Sequence, residues 1–178
     1  PTVRAMIQTI TIPIDRSGAT IQELIRQASN SNVPVLFLGD DLFTLDIPDS
    51  ALDRMQSVLD QWDAGIVYSD SHGQRRIDYQ MGSIRDDFDF GPLVAVSVAR
   101  AMAAFEEYGW PDTDIRWGGF YDLRLKLSAD APIVRIPEPL YHAMNLDRRS
   151  VGERLFDYIN PSGHEYQIEM EHIVTEHL

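Results

Sequence analysis

The stretch that decides the fold is residues 33–41, VPVLFLGDD, where a continuous apolar run ends at a glycine and two aspartates. A run without polar alternation is typical of a strand that is covered on both faces of a sheet. Because Gly39, Asp40 and Asp41 follow the run directly, it predicts a buried strand with carboxylates at its carboxyl end.

Apolar runs and segments of helical periodicity alternate on both sides of this strand. Further strands are predicted over residues 3–12, 66–70, 93–96 and 133–136. Helices are predicted to begin near residues 20, 48, 98 and 119, the first of them with a capping box at residues 20–23. Such alternation indicates βαβ units, so we expect an α/β fold whose mainly parallel sheet is flanked by helices.

Two of the predicted helices have apolar faces with spacings of three and four residues, which predicts that these faces are buried. The first face is formed by Ile21, Leu24, Ile25 and Ala28. The second face is formed by Leu52, Met55, Leu59 and Trp62. We therefore expect Trp62 in the core.

The charge of the chain excludes several kinds of partner. The 15 Lys and Arg residues against 28 Asp and Glu residues give a net charge of −13. A chain this negative repels phosphate backbones, so we expect neither nucleic acid nor an anionic membrane surface as a partner. A phosphorylated ligand would need local cations, and a divalent metal is their usual source.

The cellular compartment can also be predicted. No apolar run reaches the ~20 residues that cross a bilayer, and no basic segment precedes an apolar one as in a signal peptide. The absence of cysteine excludes disulfides and fits a reducing compartment, so we expect a cytoplasmic location. The chain begins with Pro1, which leaves open that it is a piece of a longer protein.

Acidic residues follow two of the predicted strands. Asp40 and Asp41 come after one strand, and Asp70 comes after the next. In α/β sheets ligands bind beyond the carboxyl ends of the strands, which favours a functional role for these residues. Aspartate is equally common in loops between strands and helices, where it caps helices and forms turns.

Five segments occur in an order that resembles a known family. They are residues 33–41, residues 64–70 (AGIVYSD), residues 85–91 (RDDFDFG), residues 121–128 (YDLRLKLS) and residues 136–141 (IPEPLY). The ordered set spans about residues 3–141 and resembles the central part of a bacterial family 2 glycosyltransferase with a GT-A fold. The resemblance implies a GT-A-like (Rossmann-like) domain, which we assign to residues 1–148.

The resemblance implies transfer of a sugar from a nucleotide-diphosphate donor to a hydroxyl of a saccharide or another acceptor. In this family a D-x-D element holds Mg²⁺ or Mn²⁺ on the diphosphate, because a hard cation with oxygen ligands stabilises the leaving group. Here the element reads Gly39-Asp40-Asp41, with glycine at the first position. Asp41 is therefore the first metal candidate and Asp40 the second.

The general base is harder to identify. The family has a Glu-Asp pair just before the Tyr-Asp-Leu helix, where this chain has Gly119 and Phe120. Asp122 lies two residues further on, but on a helix it would face about 200° away from Phe120. It could instead pair with Arg124 or Lys126.

The acidic loop within residues 85–91 supplies most of the remaining candidates. Asp87 and Asp89, together with Asp122, are the candidate catalytic carboxylates. Asp70, Arg85, Asp86 and Trp117 are the candidate substrate-binding residues. The alternative for the loop is a solvated acidic segment that pairs with Arg85, and the alternative for Trp117 is packing instead of stacking on a sugar ring.

Residues 149–178 form a charged tail that we expect to be helical after residues 161–163, with a solvated face that includes Glu165 and Glu169. Whether the tail docks on the domain or mediates formation of a homo-oligomer is left open.

A second function stays open as well, because the chain lacks the Glu-Asp pair and the strand-helix-strand that begins the family. This rival is a non-catalytic GT-A-derived domain that binds a saccharide or a protein. Phosphoryl transfer at Asp40 and Asp41 is disfavoured, because no nucleophile or phosphate-cradling loop accompanies them.

Overall fold

The computed structural model describes residues 8–12, 16–146 and 161–178. These residues form an α/β fold, as the alternation of apolar runs and helical segments predicted. The strands are β1 (Gln8–Ile12), β2 (Val35–Asp40), β3 (Phe43–Asp46), β4 (Ile66–Ser71), β5 (Leu93–Ser97) and β6 (Ile133–Asn145). The helices are α1 (Gly18–Asn30), α2 (Asp49–Trp62), α3 (Val98–Tyr108), α4 (Gly119–Asp130) and α5 (Pro161–His177).

The six strands of the described ranges form one sheet in the order β1-β2-β5-β4-β6-β3. Two neighbouring pairs, β1 with β2 and β4 with β6, are parallel. The other three pairs are antiparallel, so the expectation of a mainly parallel sheet was wrong. Two of these three pairs involve β5. No helix connects β5 to β4, whereas the crossover between parallel strands has a dozen or more residues and is usually a helix.

The sheet is covered on both faces. Alternate residues of β2, β4 and β5 pack against α1, α3 and α4 on one side and against α2 on the other. All residues of β4 and β5 are buried, as are the first five of β2, which confirms the prediction made from the apolar run. This position places the carboxyl end of β2, with Asp40, at the rim of the buried layer.

Two local predictions were wrong. Helix α1 is capped by Ser17, whose hydroxyl accepts a hydrogen bond from the Thr20 amide, so the helix starts before the expected box at residues 20–23. Trp62 is 60% exposed, because α2 ends there and turns its buried face, formed by Ala51, Met55, Val58 and Leu59, toward the sheet.

The tail is helical where it is described, which confirms the expectation for the residues after 161–163. Helix α5 packs on α4 through the buried side chains of Met170 and Ile173. A Cβ on Gly118 would lie 2.8 Å from Met170 Cε, so glycine permits this close approach. Within the parts of the chain that the structure describes, no helix has the length and apolar character needed to cross a membrane.

Candidate functional site

A cavity of about 310 Å³ opens at the carboxyl end of β2. Two arginines and two aspartates line it, and we call it the charged cavity after these residues: Arg16, Asp40, Arg76 and Asp89. The remaining walls are Leu38, Gly39, Phe43, Gln74, Phe88, Phe90, Gly91, Pro92, Val94 and Phe120. The cavity thus lies at the edge of the sheet where the sequence predicted a ligand.

Asp40 is the carboxylate that β2 delivers to this cavity. Its Oδ1 accepts a hydrogen bond of 2.9 Å from the Leu42 amide, which fixes the turn into β3. Its Oδ2 lies 3.3 Å from Arg16 Nη2. Asp41, the first metal candidate, is exposed in the turn and is not part of the cavity wall. Of the two candidate metal ligands, Asp40 therefore lines the cavity and Asp41 does not.

Arg76 and Asp89 form the opposite side of the charged cavity. Arg76 Nη1 donates to Asp89 Oδ2 at 2.9 Å, and the other oxygen of Asp89 accepts from the Gly91 amide at 2.8 Å. Arg76 Nη2 donates to Gln74 Oε1 at 3.0 Å. The Arg76 side chain is only 7% exposed although it lines a cavity, so its charge lies in a site of restricted solvent access.

A glycine allows the Arg76 side chain to lie where it does. Gly91 has a φ of +77°, and a Cβ there would lie 2.8 Å from Arg76 Nε. Arg76 Nε and the Tyr141 hydroxyl are both buried without a hydrogen-bond partner among the described residues. Burial raises the pKa of Tyr141 to about 12, so its hydroxyl stays protonated and neutral beside the guanidinium.

Asp70 holds the loop that carries Arg76. It is buried at the end of β4, and its two oxygens accept bonds of 3.0 and 2.9 Å from Arg135 Nε and Nη2. The Arg76 amide donates to Asp70 Oδ1 at 2.8 Å. The bond from Arg135 holds the pKa of Asp70 below its usual value. Asp70 is not among the residues that line the cavity, and its carboxylate instead orders the loop that carries Arg76.

A second cavity of about 220 Å³ adjoins the first and shares Arg16, Phe88, Phe90 and Phe120 with it. We call it the aromatic cavity. Its other lining residues are Asp86, Trp117, Tyr121, Arg124, Tyr166 and Met170. The two cavities together therefore offer one charged compartment and one aromatic compartment side by side.

The aromatic cavity has ordered walls. Trp117 meets Tyr166 edge to face with ring centroids 6.3 Å apart. Burial and the nearby Asp86 carboxylate raise the pKa of Tyr166 to about 12. Arg124 is almost fully buried and donates to the Tyr79 hydroxyl and to the Ser83 carbonyl, so it orders the loop that leads to Asp86.

The acidic loop divides its candidates between different environments. Asp86 lines the aromatic cavity and Asp89 the charged one. Asp87 instead forms an exposed two-point ion pair with Arg85, at 3.0 and 3.1 Å, which lowers the pKa of Asp87. The structure brings Asp86 and Asp89 to the cavities, while Arg85 and Asp87 form the solvated pair that was the alternative for this loop.

Asp122 lies away from both cavities. It is buried on α4, and its carboxylate accepts a bond of 2.7 Å from Lys126 Nζ. Burial raises the pKa of Asp122 despite this partner. The alternative of pairing with Lys126 is thus observed, and Asp122 lines neither the charged nor the aromatic cavity.

The positions of the expected acidic pair are tightly packed. The Gly119 amide donates to the Arg16 carbonyl at 2.9 Å, and a Cβ on Gly119 would lie 2.6 Å from the Ser17 carbonyl oxygen. Phe120 lines both cavities, and the Arg16 guanidinium lies 5.6 Å from the centre of its ring. These two residues hold Arg16 in place and supply no carboxylate.

Sequence reasoning missed the role of Glu169. Its carboxylate accepts hydrogen bonds from three successive amides before α4, those of Arg116, Trp117 and Gly118, at 2.9, 2.8 and 2.8 Å. The expectation of a fully solvated α5 face was therefore wrong at this residue. No local pattern could have shown it, because the partner amides lie about fifty residues earlier in the chain.

The two carboxylates of the charged cavity bear on the expected metal. No group of three or more His, Cys, Asp or Glu side chains that could hold a metal occurs among the described residues. Mg²⁺ at phosphate sites is commonly held by one or two carboxylates together with the phosphate oxygens. Asp40 and Asp89 both line the charged cavity, but they do not form a complete metal site of their own.

No protein-family model matches this chain. A search of curated proteins likewise found no match.

Proposed function

We propose that this protein is a glycosyltransferase that moves a sugar from a nucleotide-diphosphate donor to an acceptor hydroxyl. The carrying observation is the charged cavity, where Arg16 and Arg76 meet Asp40 and Asp89 at the carboxyl end of a buried strand. We also propose that the fold is of the GT-A type, because the sequence resembles the family 2 glycosyltransferases.

The charges of the cavity support a diphosphate as its ligand. The chain as a whole carries a net charge of −13 and repels anions, yet the guanidinium groups of Arg16 and Arg76 line this cavity. Guanidinium groups bind phosphate oxygens through paired N–H donors. Both arginines are held by carboxylates, Arg16 by Asp40 and Arg76 by Asp89, so they are fixed in direction before a ligand arrives.

A divalent cation would complete the charge balance. Asp40 is the residue that would hold Mg²⁺ or Mn²⁺, together with the phosphate oxygens of the donor. When bound, the ion would stabilise the charge that develops on the leaving diphosphate.

The acceptor hydroxyl needs a base in reach of the donor. Of the candidates Asp87, Asp89 and Asp122, Asp89 is the one that lines the charged cavity. In the proposal Asp89 takes the proton of the acceptor hydroxyl as that oxygen attacks the sugar. Arg76, which donates to Asp89 Oδ2, keeps the carboxylate turned toward the cavity.

A second candidate function is the non-catalytic domain that binds a saccharide. It is favoured by one observation, which is that Gly119 and Phe120 fill the positions of the family's acidic pair and are packed against Arg16 and Ser17. The adjoining aromatic cavity alone would suffice for such a domain.

Calorimetry with UDP and GDP, with and without Mn²⁺, tests the transferase proposal. We expect binding that requires the metal, that is lost in Asp40→Ala, and that persists in the matched control Asp41→Ala. Metal-independent saccharide binding without any affinity for either nucleotide would instead support the non-catalytic domain. Equal loss of nucleotide binding in Asp40→Ala and Asp41→Ala would contradict the assignment of the cation to Asp40.

A further inference from the structure

The aromatic cavity differs in chemistry from the charged cavity beside it. Its walls include the rings of Trp117, Tyr121 and Tyr166, and its charged groups are one carboxylate and two guanidinium groups, those of Asp86, Arg16 and Arg124. Aromatic faces pack against the C–H faces of sugar rings, and charged side chains at the edge bind hydroxyl groups. A lipid tail would need no such polar groups, so the lining fits a saccharide.

Helix α5 supplies one wall of this cavity. Tyr166 and Met170, both on α5, lie among its lining residues, and the other walls come from the main domain. Tyr166 is within edge-to-face distance of Trp117. The shape of the aromatic cavity therefore depends on where α5 sits.

The Glu169 carboxylate connects α5 to the segment that precedes α4. Its carboxylate accepts from three amides in the first turn before α4, including that of Trp117 itself. A carboxylate at the start of a helix is also stabilised by the helix dipole. In contrast, Glu165, one turn earlier on α5, forms an exposed ion pair of 3.7 Å with Arg116.

We infer that the aromatic cavity is a saccharide subsite whose specificity is determined by the wall that α5 forms. Glu169 is the positioning residue that holds this wall in place. In doing so it holds Tyr166 against Trp117 and fixes the width of the cavity. The identification of the bound saccharide as the acceptor rests on the proposed transferase function, whereas the positioning role does not.

The test uses the full chain and three variants, Glu169→Ala, Glu169→Gln and the matched control Glu165→Gln. The probes are the methyl glycosides of glucose, galactose and N-acetylglucosamine, followed through the Trp117 indole N–H resonance. We expect at least one glycoside to shift this resonance, and its affinity to fall about tenfold or more in Glu169→Ala, because bonds to a charged acceptor are among the stronger ones. Glu169→Gln should restore part of the affinity, and Glu165→Gln should match the wild type.

Amide exchange and a fourth variant separate positioning from general loss of structure. Glu169→Ala should speed exchange of the Trp117 and Gly118 amides, whereas Tyr166→Ala should weaken the glycoside without changing that exchange. If Glu169→Ala behaves like Glu165→Gln, or if no glycoside shifts the Trp117 resonance, the inference is overturned. It is also overturned if uridine or guanosine displaces the glycoside, since the cavity would then be a base pocket.

Nucleotide binding by Glu169→Ala distinguishes failure of this inference from failure of the proposed function. Affinity for UDP or GDP with Mn²⁺ should stay within about twofold in Glu169→Ala, because the charged cavity has no wall from α5. Glycoside binding without any nucleotide binding would refute the transferase and leave the role of Glu169 standing. A joint loss of both ligands in Glu169→Ala would refute the separate role of α5.

Discussion

Replacement of Asp70 by asparagine should destabilise the protein strongly, because it breaks a buried ion pair from one side. Both Asp70 oxygens bond to Arg135, whose side chain is 9% exposed. Loss of one partner of a buried pair costs about 3–5 kcal/mol. We expect about 3 kcal/mol, the lower end, because Arg135 keeps a bond of 2.9 Å to Asp78.

The size of the effect can be measured by urea unfolding and by thermal unfolding. At roughly 2–4 °C per kcal/mol for a chain of this length, a loss of about 3 kcal/mol lowers Tm by about 6–12 °C. Asp78→Asn is the matched control, since it removes the other carboxylate from the same arginine. Asp78 is 84% exposed, so its removal should cost about 1 kcal/mol or less.

Amide exchange at Arg76 adds a local readout, because this amide donates to Asp70 Oδ1. It should exchange faster in Asp70→Asn than in Asp78→Asn. The reasoning is refuted if Asp70→Asn costs no more than Asp78→Asn, since the buried pair would then contribute no more than the exposed one.

Three further predictions concern stability. The pKa of Asp70 is lowered in the folded state, so its stabilising contribution should be present above about pH 4 and be lost as the pH falls further. The free energy of unfolding should therefore fall less steeply with decreasing pH in Asp70→Asn than in the wild type. Gly119→Ala should cost about 1–3 kcal/mol in urea unfolding, because its Cβ would meet the Ser17 backbone, and a cost under about 0.5 kcal/mol would contradict this packing. Trp62→Phe should change the free energy of unfolding by less than about 0.5 kcal/mol, because Trp62 is largely exposed, and a larger loss would place that side chain in the core.

The sequence predicted the central elements of the fold well where burial alone decides them. The runs that became β2, β4 and β5 are apolar throughout, and both faces of the sheet are covered. Helix α3 was predicted to begin near residue 98, and it runs from Val98 to Tyr108 with Gly109 as its C-cap. In each case one local signal, either composition or a helix-ending glycine, was sufficient.

The direction and pairing of strands could not be predicted in the same way. A strand that is apolar on both faces has the same pattern whether it runs parallel or antiparallel to its neighbours, so β5 gave no sign of its direction. Strand β3 has only four residues and a half-exposed pattern, and it is held by pairing with the far half of β6. That pairing connects residues about one hundred positions apart.

The candidate site was predicted in its location and only partly in its residues. The carboxyl end of β2 does open into a cavity, and Asp40, Asp86 and Asp89 line the two compartments there. The arginines of the charged cavity were missed, because Arg16 and Arg76 lie in loops without a motif. Their role follows from tertiary contacts that bring separate loops to one rim.

The central claim is that a divalent cation and a nucleoside diphosphate bind together in the charged cavity at Asp40. The most direct measurement is paramagnetic broadening of backbone amide resonances by Mn²⁺, recorded with and without GDP or UDP. We expect broadening at Leu42 and Gly91 that requires the nucleotide and disappears in Asp40→Ala. Broadening that does not depend on the nucleotide, or that is centred on residues away from this cavity, would contradict joint binding of the cation and the nucleotide at Asp40.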